Sequence, residues 1–313
     1  MQSSSANSRL HQPSGRAGLG FALAMTTVSL WSILPVGLKL ALGGVDPLTL
    51  TWIRFMAAAL FLGVLLKLRG NMPPVGLLAR HHWMLMAVAA AGLAGNYGFY
   101  ALGLHFTNAG TSQVVIQIAP MLLTLGGIVV FKERFAAVQW LGFGVLLAGL
   151  ALFSSDQIAH LVGSLDRYYT GLGFLVAGAV TWAAYGLAQK QLLGRMGSPQ
   201  IMLCLYAAGA MIFAPLATPA ALLDLDTVQF AALVFCTANM LLSYATFSEA
   251  LAHVEASRVS ALLAAVPLGT LAAVHAASLF APSVFAPEPV TTAGIAGATL
   301  VVCGSLMTSL GRG

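Results

Sequence analysis

Ten apolar stretches of roughly twenty residues each, parted only by short polar breaks, limit what this chain can become. They fall at about 18–39, 48–68, 83–104, 109–131, 137–154, 171–190, 199–218, 228–251, 256–280 and 291–310. At about 1.5 Å of rise per residue, each is long enough to cross the hydrocarbon core of a bilayer as a helix. None alternates polar and apolar residues over its length, as a membrane barrel strand would. Of the 313 residues 59% are hydrophobic and only 7% are charged, against about a quarter in soluble domains. So few charges cannot cover the surface of a soluble fold of this length. Soluble enzymes, nucleic-acid binders and disordered chains are therefore excluded, and an all-α integral membrane protein of ten transmembrane helices is expected. The longest connection, about 155–170, is too short for a domain, so function must reside in the helix bundle.

The net charge of +5 reports on orientation rather than on a nucleic-acid partner. With the N-terminus inside, Arg9, Arg16, Lys67, Arg69, Arg80, Lys132, Arg134, Lys190, Arg195, Arg258 and Arg312 fall on the cytoplasmic side. Only Lys39 and Arg167 fall outside, and Arg54 lies within a span. Asp46, Asp156, Asp166, Asp224, Asp226 and Glu288 occupy the external side. Both termini are thus expected in the cytoplasm, with residues 1–17 a polar tail ahead of a retained first span. Cys204, Cys236 and Cys303 sit in apolar runs without metal-ligand spacing and read as small buried hydrophobes.

The chain is also written twice. Trp31 precedes Lys39 by eight residues, as Trp182 precedes Lys190. Asn96-Tyr97 leads Pro120 by the same interval as Ser243-Tyr244 leads Pro267. Glu133 leads Gly142 and Gly149 as Glu288 leads Gly297 and Gly304. Asp46-Pro47 and Ser198-Pro199 open the second span of each half. Matching signals in matching order indicate an internal duplication. With five spans per copy, an odd number, the second copy must enter the membrane inverted, an architecture recurrent in secondary transporters.

The segments from Tyr97-Gly98-Phe99-Tyr100 to Ala119-Pro120, and from Tyr244-Ala245-Thr246-Phe247 to Val266-Pro267, resemble EamA repeats of the drug/metabolite transporter superfamily. The glycine-spaced spans after Glu133 and Glu288 match the end of each repeat. The resemblance implies repeats at 18–154 and 171–310 joined by an external linker at 155–170. It also implies two inverted five-helix repeats in a bacterial inner membrane and export or exchange of small metabolites, with no cofactor. An insertion at 281–288 departs from the first copy and suggests a longer external loop; Glu249, where the first copy has Leu102, is a second departure.

Polar groups in a bilayer face a cavity or a partner. Gln113, Gln117, Pro120 and Thr124 share one helical stripe in the fourth span. The third span offers Asn96, Tyr97 and Tyr100. The sixth offers Trp182, Tyr185 and Gln189, and the eighth Asn239, Ser243, Tyr244 and Thr246. With Trp31 these give the mixture of aromatic walls and a few orienting polar groups typical of a small-molecule pocket. Arg54, about 10 Å into the second span, could pair with a substrate carboxylate or snorkel outward. Glu249 and His275 are candidates for carrying a coupling proton. Gly142, Gly149, Gly297 and Gly304 mark the fifth and tenth spans as a scaffold or homodimer surface.

No phosphate-binding loop, nucleophile elbow or metal cluster marks an enzyme. The expected partners are a small-molecule substrate and the lipid bilayer. The rival readings are an intramembrane enzyme on a lipid-linked substrate, for which Glu249 and His253 are the only acid–base pair in view, and a non-transporting sensor or assembly subunit. The cation bias makes a direct prediction. Fluorescent protein fused after Gly313 should fluoresce, whereas alkaline phosphatase fused there should be inactive; active phosphatase would reverse the orientation.

Overall fold

The structure is a computed structural model, and it describes residues 16–74, 76, 80–119, 121–122, 125–126, 136–159, 165–192, 195–253, 262–280, 282 and 291–310. Pro120, Thr124, Glu133, Arg258, Glu288 and most of the predicted 281–288 loop lie outside those residues. The regular elements among the described residues are all helices, the α-helices being α1 (Ala17–Ala41), α2 (Pro47–Leu68), α3 (Arg80–Phe106), α4 (Ala109–Val115), α5 (Ala137–Ala159), α6 (Leu165–Leu192), α7 (Ser198–Phe213), α8 (Thr227–His253), α9 (Val266–Phe280) and α10 (Thr292–Leu310). Seven of these are long and apolar enough to cross a bilayer, and two shorter apolar helices lie at Val266–Phe280 and Thr292–Met307.

Capping residues set several of the helix ends. Asp46 Oδ1 accepts from the Leu48 and Thr49 amides, and Pro47 supplies the first helical position of α2. Asn108 Oδ1 accepts from Thr111 N and starts α4 at the predicted break after His105-Phe106. Asp226 and Gln229 cap α8 reciprocally. Helices α5 and α6 both run into the segment read as a linker, leaving only 160–164 between them.

The fourth and ninth predicted spans differ from unbroken helices. Helix α4 stops at Val115, and the chain turns at 116–117 with Ile116 O taking the Ala119 amide at 2.9 Å. The chain turns again at 264–265, where Leu262 O takes the Ala265 amide, before α9 begins. The cause is the same in each place. Proline has no N–H for the carbonyl four residues back and its ring crowds that turn, so the helices open just ahead of Pro120 and Pro267.

The most extensive helix contacts join the first half of the chain to the second: α3 with α6, α5 with α10, α1 with α8, and α2 with α7. Glycine sets how close these pairs come. A β-carbon on Gly297 would lie 2.6 Å from Phe153 N, and one on Gly304 would lie 2.5 Å from Leu146 N and 2.6 Å from Gly142 O. On the α3–α6 face, a β-carbon on Gly92 would lie 2.8 Å from Thr181 O. The glycine stripe of the fifth and tenth spans is therefore an intrachain scaffold, and it is not free to serve as a dimer surface. At one end of that pair Asp156 Oδ1 receives the Thr291 hydroxyl, which itself accepts the Ala293 amide at the start of α10.

Lys39 and Arg167, the two cations that the sequence sets outside, have a shared structural reason to be there. Lys39 Nζ donates to Leu104 O at 2.8 Å and Thr107 O at 2.9 Å. Arg167 donates to His105 O at 3.2 Å and lies over the Phe106 ring. Both meet the open carbonyls at the negative end of α3. Among the cysteines only Cys236 is buried; Cys204 is half-buried and Cys303 is exposed, because it faces away from the glycine contact of α10. Leu60, Phe61, Val64 and Leu68 of α2 form an exposed apolar row suited to lipid. Trp83 is exposed as an interfacial anchor would be, whereas Trp52 is half-buried against the core.

The glycine contacts predict a sharp contrast within one helix pair. Gly297→Ala should lower unfolding stability in detergent by on the order of 1–3 kcal/mol, the cost of overpacking. Gly144→Ala, on α5 with open space around it, should be neutral in the same thermal scan.

Candidate functional site

An aromatic cluster occupies the middle of the molecule and draws on five helices. Phe55 of α2, Tyr185 of α6, Tyr206 and Phe213 of α7 and Met240 of α8 form its buried core, with Tyr97, Trp182 and Tyr244 packed against it. The Phe55 ring lies 5.0 Å from that of Tyr97 and 6.0 Å from those of Tyr206 and Phe213. Trp31 meets Tyr244 edge-on at 6.0 Å and Phe247 at 5.8 Å, and Trp182 meets Tyr185 at 6.4 Å. Tyr97 and Tyr244 pack against the same buried core. These two tyrosines occupy equivalent places in the duplicated sequence.

Arg54 packs against this cluster, and its placement sets aside one of the two sequence readings. Only 3% of it is exposed, so it does not snorkel to the surface. Its guanidinium carbon sits 5.1 Å from the centre of the Tyr97 ring, a cation–π contact. Nε has no hydrogen-bond partner, and no carboxylate among the described residues pairs with it.

Several of the predicted polar residues join helices. Asn96 Nδ2 donates to Gly178 O of α6 at 3.0 Å, and Asn239 Nδ2 donates to Leu30 O of α1 at 2.7 Å. Gln113 Nε2 donates to Trp31 O at 3.3 Å. That carbonyl needs a donor, since Pro35 four residues on has no N–H to offer. Ser32 O next to it takes the Thr270 hydroxyl at 2.9 Å. Ser243 is buried and bonds within its own helix, and Tyr185 points its hydroxyl at the Met202 sulfur. Gln117 is buried, and its side chain makes no hydrogen bond among the described residues. Tyr100 Oη and Asn239 Oδ1 are likewise buried without a partner.

The two coupling candidates lie at the periphery. Glu249 is 62% exposed, with Oε1 3.2 Å from His253 Nε2, and His275 is exposed on α9. The partial desolvation expected of Glu249 is absent at that exposure. Phe55, Tyr206 and Phe213 were not among the sequence candidates. A signal for Tyr206 existed: it follows Ser198-Pro199 by the interval at which Arg54 follows Asp46-Pro47, so the two are repeat counterparts.

Comparison with known proteins gives a consistent picture. The model of the EamA-like transporter family matches residues 18–155 and again 169–310. An uncharacterized inner membrane transporter of Escherichia coli K12, YhbE, is 35% identical over 298 residues, covering 95% of this chain and 93% of the relative. A probable terminal-alkyne amino-acid exporter of Streptantibioticus cattleyicolor is 27% identical over 63% of each chain. A solved crystal structure superposes over 96% of this chain and 98% of its own, with a TM-score of 0.61 at 21% identity, a likeness of fold alone.

The amide-to-carbonyl bonds between helices generate a stability prediction. Asn96→Ala should lower unfolding stability in detergent by about 0.6–1.7 kcal/mol, the span measured for interhelical hydrogen bonds in membranes. An unchanged midpoint would show that the bond to Gly178 O contributes nothing.

Proposed function

The chain belongs to the EamA-like transporter family, and on that premise we propose that it is a secondary transporter exporting a small amino-acid-like or amphiphilic metabolite across the bacterial inner membrane by alternating access. The observation that carries this reading is the exchange of helices between halves. Helix α3 packs on α6 as α1 packs on α8, and α2 with α7 and α5 with α10 pair across the middle. Two copies related by a two-fold axis in the membrane plane would pair in this way, and the packing of Tyr97 and its counterpart Tyr244 on one core is what such an axis predicts. That pairing and the cation bias support ten spans in two inverted sets of five, with both termini inside.

Supporting it further, the chain turns at 116–117 and at 264–265, just ahead of Pro120 and Pro267 in sequence. Interrupted helices at the repeat interface are where carriers of inverted design hold their substrates. Trp31, Arg54, Tyr97, Tyr100, Gln117, Trp182, Asn239 and Tyr244 would contact the substrate. Asn96, Gln113, Tyr185 and Ser243 would frame it. Exposure of Glu249 and His275 favours a carrier driven by the substrate's own gradient over one using either residue to hold a proton. The exporter named in Streptantibioticus cattleyicolor supports an amino-acid-like cargo and the outward direction.

Counterflow in proteoliposomes tests the proposal. Preloaded apolar amino acids should drive uptake of labelled ones, and Gln117→Ala should slow counterflow several-fold while the protein still unfolds in one cooperative thermal transition. Absence of counterflow with folded protein would leave a sensor in place of a carrier.

A further inference from the structure

Arg54 is the only lysine or arginine fully buried among the described residues, and it has no counter-ion there. A cation withdrawn from water without a partner is unfavourable, and contact with the Tyr97 ring replaces only part of what hydration supplied. Such a group is retained where something else completes it. Tyr100, one turn along α3 from the Tyr97 ring that Arg54 covers, has its buried hydroxyl left without a partner. Asn239 Oδ1 is a buried acceptor left open on α8, next to Met240, which packs in one cluster with Phe55, the neighbour of Arg54. The amide cannot turn to close itself, because Nδ2 is held on Leu30 O.

We infer that these three groups form a zwitterion site, in which Arg54 and Tyr100 receive the carboxylate of an α-amino acid and Asn239 Oδ1 receives its ammonium group. Two open donors and one open acceptor match that ligand in kind. A single buried guanidinium balances a single carboxylate, whereas a phosphate dianion or a dicarboxylate would bring charge that nothing buried here offsets. Phe55 and Phe213, stacked beside the site, call for an apolar amino-acid side chain. The inference rests on the transporter reading for its cargo and deepens it by naming the chemical class.

Full-length protein in detergent, scanned thermally with leucine, methionine and phenylalanine and with the carboxamide of each, tests the assignment without any mutation. Amino acids should raise the midpoint saturably, and the carboxamides should bind about 30-fold more weakly or worse, as when a buried charge pair loses one member. Equal binding of acid and amide, or no shift with any acid, overturns the assignment. Arg54→Met should erase the ligand shift while leaving the unliganded midpoint unchanged or higher, since an uncompensated charge is removed. An unliganded midpoint that falls would make Arg54 a structural residue and overturn the assignment as well. Counterflow separates the two proposals. Acid-selective binding without counterflow defeats the transporter reading and leaves the site standing, whereas equal counterflow of amide and acid defeats the site and leaves the transporter standing.

Discussion

Hydrocarbon offers a backbone carbonyl no partner, and this requirement shapes the centre of the molecule more than any single packing contact. An uninterrupted helix meets it by itself. Helix α1 does not, because Pro35 leaves Trp31 O open in the middle of the bundle. Three neighbours converge on that turn: Asn239 on Leu30 O, Gln113 on Trp31 O and Thr270 on Ser32 O. Polar side chains in apolar runs thus serve the backbone first. The same requirement accounts for Lys39 and Arg167, which terminate α3 from the side that the other cations avoid.

Close approach is the second condition for such bonds, and glycine provides it. Short amides such as Asn96 reach a carbonyl on the adjacent helix only when the two backbones nearly touch. On the α3–α6 pair, Gly92, Gly95 and Gly103 bring them that near. Where the helices are glycine-lined and bonded in this way, the contact is a fixed one. Around Arg54 the character changes: the neighbours are large aromatic rings, and polar atoms are left open rather than closed. Fixed seams and an unsatisfied centre are the arrangement required of a molecule that must hold its shape and still welcome a polar guest.

How much of this was legible in the sequence follows from which forces act locally. Seven of the spans, the doubled signals and the turn at His105-Phe106 could be read directly, since length, hydropathy and capping are properties of neighbouring residues. Pro120 and Pro267 announced a disturbance, but their helices open rather than bend, an outcome set by what packs beside them. Asn96, Gln113 and Asn239 signalled a need for hydrogen bonds without naming the partner, which lies on a helix 82 to 209 residues away. Arg54 could have faced either way, because the sequence does not say which side of α2 meets the core. Tyr206 was missed although the repeat itself pointed to it.

The exchange of helices between the two copies has a mechanical consequence. The packed units are not the ones that a cut at residue 160 would separate. Helix α1 is stitched to α8 and α9, and α3 is seated along α6, so each seam joins early chain to late chain. A ribosome that has finished only the opening half has therefore made one side of each major seam, and the bundle closes only once the later half has been threaded in beside it.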